Sequence, residues 1–102
     1  MGINVRVETE HGDLISQVLD ERGLTAALLP QDSASGDVCL PFVDPYGDTV
    51  FNQLQVPVLA DELERKLGDL PDSPAREHGQ RILRLIESAR DKVHTYVRFV
   101  GD

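Results

Sequence analysis

Residues 73–93, SPAREHGQRILRLIESARDKV, decide the fold because they carry the clearest periodicity in the chain. Ser73 and Pro74 suit the N-cap and first position of a helix. Apolar side chains then recur every three or four residues and form a single stripe: Ile82, Leu85, Ile86, Ala89 and Val93. The stretch predicts a long amphipathic helix, in which Gly79 would permit close approach of another backbone.

The preceding stretch VPVLADELERKLG, residues 56–68, predicts a second helix. Pro57 suits its first turn, and Gly68 stands where a helix usually ends. Its apolar stripe repeats every four residues: Leu59, Leu63 and Leu67. Glu62 and Lys66 are expected to pair on the solvent side, four residues apart.

Alternating patterns at the two ends of the chain predict strands. Residues 3–9, INVRVET, alternate apolar and polar side chains, and so do residues 94–102, HTYVRFVGD. Gly12 lies in a turn that follows the first strand and is expected to take a positive φ. Residues 14–20, LISQVLD, fit either a strand that completes a hairpin or a helix.

The middle of the chain reads as short elements. Residues 21–30 predict a helix of about two turns that stops at Pro30, and residues 31–37 an exposed loop. Residues 38–43, VCLPFV, are rich in strand-forming residues. Pro41 would confine such a strand to a sheet edge or a bulge.

The stretch VDPYGDTVFN, residues 43–52, matches a type I turn, with Asp44, Pro45 and Gly47 at their preferred positions. Residues 48–52 would return as the second strand of a hairpin, or Asp48 would cap a short helical turn. The pattern therefore predicts a tight turn after the Pro41 strand.

Together these elements predict an α+β fold, with a small, mostly antiparallel sheet and two main helices packed side by side on one face. The length of 102 residues suits a single globular domain over residues 1–102. A single cysteine, Cys39, indicates a reducing compartment. No apolar run suits a signal peptide or a membrane-spanning helix, so a cytoplasmic protein is expected, with no membrane association.

The charge is distributed unevenly. The net charge is −8, of which residues 1–51 carry −7 and residues 52–102 carry −1. Such a field repels phosphate backbones, which argues against nucleic-acid binding, and it favours a basic protein partner. An acidic surface also serves solubility, and that interpretation stays open.

A search for chemical motifs predicts neither a catalytic residue nor a metal or cofactor site. His11, His78 and His94 have no ligand spacing and are interpreted as surface or helix-end histidines. Cys39, within VCLPF, is interpreted as a buried strand residue. No nucleophile elbow and no phosphate-binding loop is present.

Asp44 and Asp48 could bind a cation or act as an acid–base pair, although their spacing does not match a calcium loop. Turn formation explains both carboxylates more simply. Tyr46 is expected to be exposed between them, and exposed tyrosines often anchor interfaces. Asp44, Tyr46 and Asp48 are therefore candidate partner contacts.

Three segments carry a resemblance: FVDPYGDTVFNQLQ, LADELERKL and YVRFVGD. With them the chain, from VLDERGLTAALLP to its last residue, resembles an uncharacterised group of small acidic bacterial proteins. The resemblance implies a bacterial, cytoplasmic setting. It implies no activity and no catalytic residues.

The favoured hypothesis is a non-enzymatic protein-interaction domain that binds a basic partner, for example an immunity protein that blocks a basic effector. One alternative is a small enzyme or ligand-binding protein that uses Asp44 and Asp48 with a histidine. Another is a homodimer with a structural or regulatory role, paired through residues 94–100 or the Pro41 strand.

Overall fold

The computed structural model describes residues 2–30 and 36–101, so most of the loop predicted at 31–37 lies outside the described residues. The described residues form an antiparallel sheet and two α-helices, which confirms the α+β prediction. The strands are β1 (Asn4–Thr9), β2 (Leu14–Val18), β3 (Asp48–Phe51) and β4 (Thr95–Val100), in the order β2-β1-β4-β3. The helices are α1 (Val56–Gly68) and α2 (Pro74–Ala89).

The two central strands show the predicted alternation. Val5 and Val7 of β1 lie opposite Phe99 and Val97 of β4, and all four side chains are buried. Burial of this one face against the helices fixes the register, because a slip of one residue would expose it. Gly12, in the turn after β1, has the expected positive φ of 84°.

Residues 14–18, for which the sequence allowed strand or helix, form the edge strand β2. Their side chains are mostly exposed. The pairing with β1 is irregular: Ser16 lies opposite Val7, but Leu14 lies opposite Glu8, which leaves Ile15 as an extra residue in β2.

The helices bury the predicted stripes. In α1 these are Leu59, Leu63 and Leu67, and in α2 they are Ile82, Leu85, Ile86 and Ala89. Ser73 caps α2 by accepting a hydrogen bond from the N–H of Arg76 at 3.2 Å. Gly79 is crowded by side chains rather than by a backbone, since a Cβ there would clash with Leu67 and lie 3.0 Å from Leu28.

The end of α2 corrects the prediction. The helix stops at Ala89 because Arg90 is extended, with ψ of 135°, and Asp91 is left-handed, with φ of 66°. Val93 is consequently 66% exposed and does not extend the buried stripe. His78, expected on the surface, is buried.

Residues 38–43 do not form the predicted strand; Leu40–Phe42 is a short 3-10 helix. Pro41 has no backbone N–H, so it cannot donate a hydrogen bond to a neighbouring strand. The carboxylate of Glu62 accepts three further N–H groups, from Val38 at 2.8 Å, Cys39 at 3.1 Å and Leu40 at 2.9 Å.

The expected Glu62–Lys66 pair is therefore wrong, because Glu62 is buried beneath this segment. Its position three residues after Leu59 places it on the buried side of α1. Cys39 is buried, as predicted, but it does not lie in a strand.

The hairpin between residues 38–43 and 48–52 is also wrong. The turn at 44–47 is present, but it joins the 3-10 helix to β3, and β3 pairs with β4. Asp48 lies opposite Val100, and Phe51 lies opposite Val97.

The helix of two turns predicted at 21–30 is a single 3-10 turn, Thr25–Leu28. Leu29 is extended, with φ of −83° and ψ of 138°, as a residue before proline prefers to be. The helix therefore ends before Pro30.

The edges of the sheet are not where the homodimer hypothesis placed them. Residues 95–100 form the central strand β4, whose two neighbours occupy its backbone hydrogen bonds, and the Pro41 segment is not a strand. The outer positions of the sheet belong to β2 and β3.

Candidate functional site

The turn at 44–47 is built by Asp44. The backbone N–H of Gly47 donates to the carbonyl oxygen of Asp44 at 3.4 Å, and the N–H of Tyr46 donates to Asp44 Oδ1 at 2.9 Å. Thr49 Oγ1 in turn accepts the N–H of Asp44 at 2.9 Å. The carboxylate shapes the turn and leaves the Tyr46 side chain 78% exposed.

This turn packs against the end of β4. The N–H of Gly101 donates to the carbonyl oxygen of Gly47 at 2.8 Å. A Cβ at position 101 would lie 2.5 Å from the carbonyl oxygen of Pro45 and 2.8 Å from that of Asp44. Only glycine fits, so the turn is fixed where β1 begins and β4 ends.

Two adjoining depressions open at this end of the sheet, with volumes of about 170 Å³ and 430 Å³. Gly2 and Asp20 line both, and together we call them the sheet-end cleft. Tyr46 lines the smaller depression, and Leu19 and Glu21 line the larger. Within residues 2–30 and 36–101, no lysine, arginine or histidine lines either one.

The acidic residues around the sheet-end cleft differ in their partners. Asp48 Oδ2 lies 3.1 Å from an Nη of Arg98, so its charge is compensated. Asp44 and Glu21 are exposed, and neither forms an ion pair with any residue that the structure describes. The cleft therefore borders uncompensated negative charge.

Asp20 organises the wall of the cleft. Its carboxylate accepts three backbone N–H groups, from Ile3 at 2.9 Å, Leu24 at 2.6 Å and Thr25 at 3.2 Å. Burial raises the pKa of Asp20, but these hydrogen bonds outweigh burial and leave that pKa below its ordinary value. The carboxylate thus ties residues 24–25 to the start of β1.

His78, on α2, completes this buried group. Its Nε2 lies 2.8 Å from Thr25 Oγ1 and 3.5 Å from Asp20 Oδ1. Because the Thr25 hydroxyl donates to the carbonyl oxygen of Ile3 at 2.8 Å, Nε2 carries the proton and donates to Thr25. Burial lowers the pKa of His78, Asp20 opposes that effect and Arg81 adds to it, so the imidazole is neutral at pH 7.

Asp20, His78 and Thr25 bring together a carboxylate, an imidazole and a hydroxyl group, but their geometry is not that of a nucleophilic triad. In a triad the acid and the hydroxyl contact different ring nitrogens, whereas here both face Nε2. The Thr25 residue is also 1% exposed and its proton is committed to a carbonyl. The cluster holds α2 against the end of the sheet.

A second charge network lies on the sheet face that the helices leave open. Glu8 is buried at its centre and accepts from Arg6 Nε at 2.7 Å and Arg98 Nε at 2.9 Å. Burial raises the pKa of Glu8, but Arg98 and Arg6 reverse that effect and hold the pKa below its ordinary value. Arg98 continues the network to Asp48.

The histidines of the acid–base hypothesis lie at the other end of the sheet. His94 Nδ1 is 2.9 Å from Glu10 Oε2, and His11 Nε2 is 3.6 Å from Glu10 Oε1. The length of β4, about 20 Å at roughly 3.3 Å per residue, separates His94 from Asp48. The structure does not bring these histidines to Asp44 or Asp48.

Cys39 is a further chemical candidate of the sequence. Burial, with help from the charges of Glu62 and Asp37, raises the pKa of the Cys39 thiol to about 11. Such a thiol is a poor nucleophile. Across the part of the chain that is described, no group of three or more His, Cys, Asp or Glu residues is placed to hold a metal ion.

Of the predicted contact residues, the structure places Tyr46 on the cleft, Asp44 inside its turn and Asp48 in an ion pair with Arg98. The sequence reasoning missed two buried residues, Asp20 and His78. His78 stands four residues before Ile82, so it continues the apolar stripe of α2, and this spacing could have indicated its burial. Asp20 had no comparable signal, because its partners lie in three separate segments.

Comparison with protein-family models, with curated proteins and with solved structures finds no match. The resemblance of the DPYGDTVFN segment to a bacterial group therefore stays a prediction. None of the described helices is long and apolar enough to cross a membrane.

Proposed function

We propose that this chain is a non-enzymatic protein-interaction domain that binds a basic protein partner at the sheet-end cleft. The observation that carries the proposal is the exposure of Tyr46, at 78%, on the wall of a cleft that no cationic residue of the described ranges lines. Tyrosine offers a large apolar surface with a polar tip, and it is enriched at binding hot spots.

Charge supports a basic rather than an acidic partner. Glu21 lines the sheet-end cleft, and Asp44 precedes Pro45, which lines it too; neither carboxylate forms an ion pair with a described residue. The first half of the chain carries most of the net charge of −8. A lysine or arginine side chain entering the cleft would gain attraction from both carboxylates, while a phosphate would be repelled.

One concrete form of this function is an immunity protein in the bacterial cytoplasm that blocks a basic effector. A small acidic domain suits that role because electrostatic attraction speeds association with a basic target. The chain's single cysteine is buried and unpaired, in keeping with a reducing compartment.

The test is affinity capture of the tagged chain from its native host at about 50 mM NaCl, beside the variants Tyr46→Ser and Asp44→Asn/Asp48→Asn. We expect a basic protein to be retained by the wild type, released at about 500 mM NaCl, and lost from both variants. Asparagine keeps the turn at position 44, since its side-chain oxygen also accepts the Tyr46 N–H.

The matched control is Glu64→Gln/Asp69→Asn, which removes the same charge from exposed positions at the middle and end of α1. It should retain the partner. Equal loss in the control and in the turn variants would show that the net charge, and not the cleft, governs binding.

A further inference from the structure

The edge strand β2 has a backbone side that faces no other strand of residues 2–30 and 36–101. Both backbone groups of Ile3 point towards the segment after β2: its N–H donates to Asp20 Oδ2 at 2.9 Å, and its carbonyl oxygen accepts from Thr25 Oγ1 at 2.8 Å. Because backbone direction alternates along a strand, Val5 and Val7 point the same way.

The partners of Val5 and Val7 are Val18 and Ser16. These two residues therefore use their N–H and C=O groups in the ladder with β1, whereas Gln17, between them, directs its groups away from the sheet. Leu19 continues that outward direction by the same alternation, so the edge from Gln17 to Leu19 offers backbone donors and acceptors, while Ile15, the extra residue of β2, lies outside the regular alternation.

This edge carries only part of the usual protection. Natural edge strands are blunted by lysine, proline, inward-pointing charges or β-bulges. The sequence of β2, LISQV, has none of the first three, and its one irregularity lies at Ile15. Ile15 and Leu19 are 52% and 50% exposed and flank Gln17 at equal spacing. The extra residue in β2 disturbs only the first part of the strand, before Ser16.

The two ends of this uncharged edge are acidic. Asp13 precedes it and Glu21 follows it, and both residues are exposed. Neither forms an ion pair with a residue of the described part of the chain. The edge therefore presents an apolar middle between two carboxylates that have no ion-pair partner among the described residues, although Arg22 and Arg81 line a depression beside Glu21.

We propose that β2 binds an extended segment of a basic partner, which adds to the sheet as an antiparallel fifth strand. Apolar side chains of that segment would lie opposite Ile15 and Leu19, and a lysine or arginine at each end opposite Asp13 and Glu21. The proposal rests on the proposed function for the partner's positive charge; its surface shares Leu19 and Glu21 with the sheet-end cleft but does not include Tyr46.

Charge complementarity favours this occupant over a second copy of the chain. Two copies paired about a two-fold axis at Gln17 would place Asp13 of each opposite Glu21 of the other. Like charges directly opposite each other destabilise a strand pair. A strand with basic ends turns the same two contacts into attractions.

The test uses a peptide whose register spans Asp13 to Glu21, acetyl-Lys-Thr-Val-Thr-Thr-Thr-Val-Thr-Lys-amide, and a control with glutamate at both ends. Binding is followed by amide chemical shifts of the full chain. We expect shifts at Ile15, Gln17 and Leu19, with affinity for the basic peptide about tenfold higher than for the control. Asp13→Asn/Glu21→Gln should remove that difference.

Gln17→Pro tests the backbone contact. It deletes an outward N–H that the β1 ladder does not use, so the fold should persist, and Gln17→Thr is its matched control. Loss of binding in Gln17→Pro alone supports the proposal, and circular dichroism verifies that both variants fold.

Three outcomes overturn this proposal: no binding of the basic peptide, shifts confined to Tyr46 and its neighbours, or dimerisation in sedimentation that Gln17→Pro abolishes. The last outcome would make a second copy the occupant of the edge. Tyr46→Ser should bind the peptide like the wild type, so failure of the cleft proposal is distinguishable from failure of this one.

Discussion

At the scale of single residues, Glu62 is the clearest stabilising group, because one buried carboxylate accepts the N–H groups of three consecutive residues, 38–40. Glu62→Gln keeps the shape but removes the charge and places a donor against donors. We expect the free energy of unfolding to fall by about 2–4 kcal/mol. Urea unfolding followed by circular dichroism measures it.

The control for that substitution is Glu64→Gln, two residues away on the exposed side of α1. A surface change of this kind should alter the free energy of unfolding by less than about 0.5 kcal/mol. A similar loss in both variants would contradict the role assigned to Glu62.

Stability should fall in two windows as the pH decreases, the first set by His78 and the second by buried carboxylates that include Asp20 and Glu8. Burial lowers the pKa of His78 below 6.5, so the unfolded chain takes up a proton first and stability is lost as pH falls below about 6.5. Although burial alone would raise it, hydrogen bonding lowers the pKa of Asp20 below 3.8, so a second loss begins as pH falls below about 4.

Urea unfolding at a series of pH values measures both windows. His78→Gln can still donate to Thr25 but does not titrate, so the slope between pH 7 and 5 should flatten while the acid window remains. An unchanged slope in that variant would assign the pH dependence to other groups.

Sequence reasoning at this scale succeeded where a residue's role is local. Ser73 caps α2, and Asp44 shapes its own turn, because their partners lie within three residues. It failed for Glu62, whose partners are backbone groups 22 to 24 residues away, so nothing local distinguishes this carboxylate from an exposed one. It also failed for Asp20, which accepts from the nearby N–H groups of Leu24 and Thr25 but also from that of Ile3, 17 residues away.

At the scale of elements, the buried stripes of the two helices predict where shortening a side chain lowers the free energy of unfolding. Leu63→Ala in α1 and Ile86→Ala in α2 remove fully buried side chains, and each should lower the free energy of unfolding by about 2–5 kcal/mol. Thermal and urea unfolding measure the loss. Val93→Ala, beyond the end of α2, should be nearly neutral, and a large loss there would contradict its exposure.

The contact between α1 and α2 depends on a missing side chain at Gly79. Alanine in a helix interior usually stabilises by about 1 kcal/mol relative to glycine, but at position 79 its Cβ would meet Leu67 and Leu28. We expect Gly79→Ala to destabilise by about 1–3 kcal/mol through overpacking. Gly68→Ala, where a Cβ meets nothing within 4 Å, should not destabilise, and equal thermal melts for both variants would contradict the argument.

The helices, β1 and β4 were predictable because their periodicity belongs to the element itself. Residues 38–43 were not, although they have strand-forming residues, because tertiary contacts with Glu62 override that preference. Residues 14–18 were ambiguous for a different reason: an edge strand without a buried face has no clean alternation of apolar and polar side chains.

At the scale of the whole molecule, the sheet should open from its edges. β1 and β4 each have two neighbours and one buried face, whereas β2 has one neighbour and mostly exposed side chains. Native-state hydrogen exchange should therefore be slowest in β1 and β4 and fastest in β2. Slow exchange at Gln17 in the isolated chain would show that its outward N–H is already occupied.

The candidate site was predictable only in part, because it is assembled by the topology. The exposure of Tyr46 was predicted from its turn, but the cleft beside it requires residues 2, 20 and 101 to meet. That meeting follows from the pairing of Asn4 with Val100, near opposite ends of the sequence. No local pattern predicts which strands become neighbours.

That same pairing imposes an order on biosynthesis. While the chain emerges from the ribosome, β1 has only β2 beside it, and β3 has no partner until residues 95–100 are released. The backbone edge of β1 that pairs with β4 must wait for that strand, which makes nascent chains sensitive to pausing and to chaperone binding. A stop codon anywhere before β4 should yield a chain that proteases remove rather than a smaller folded domain.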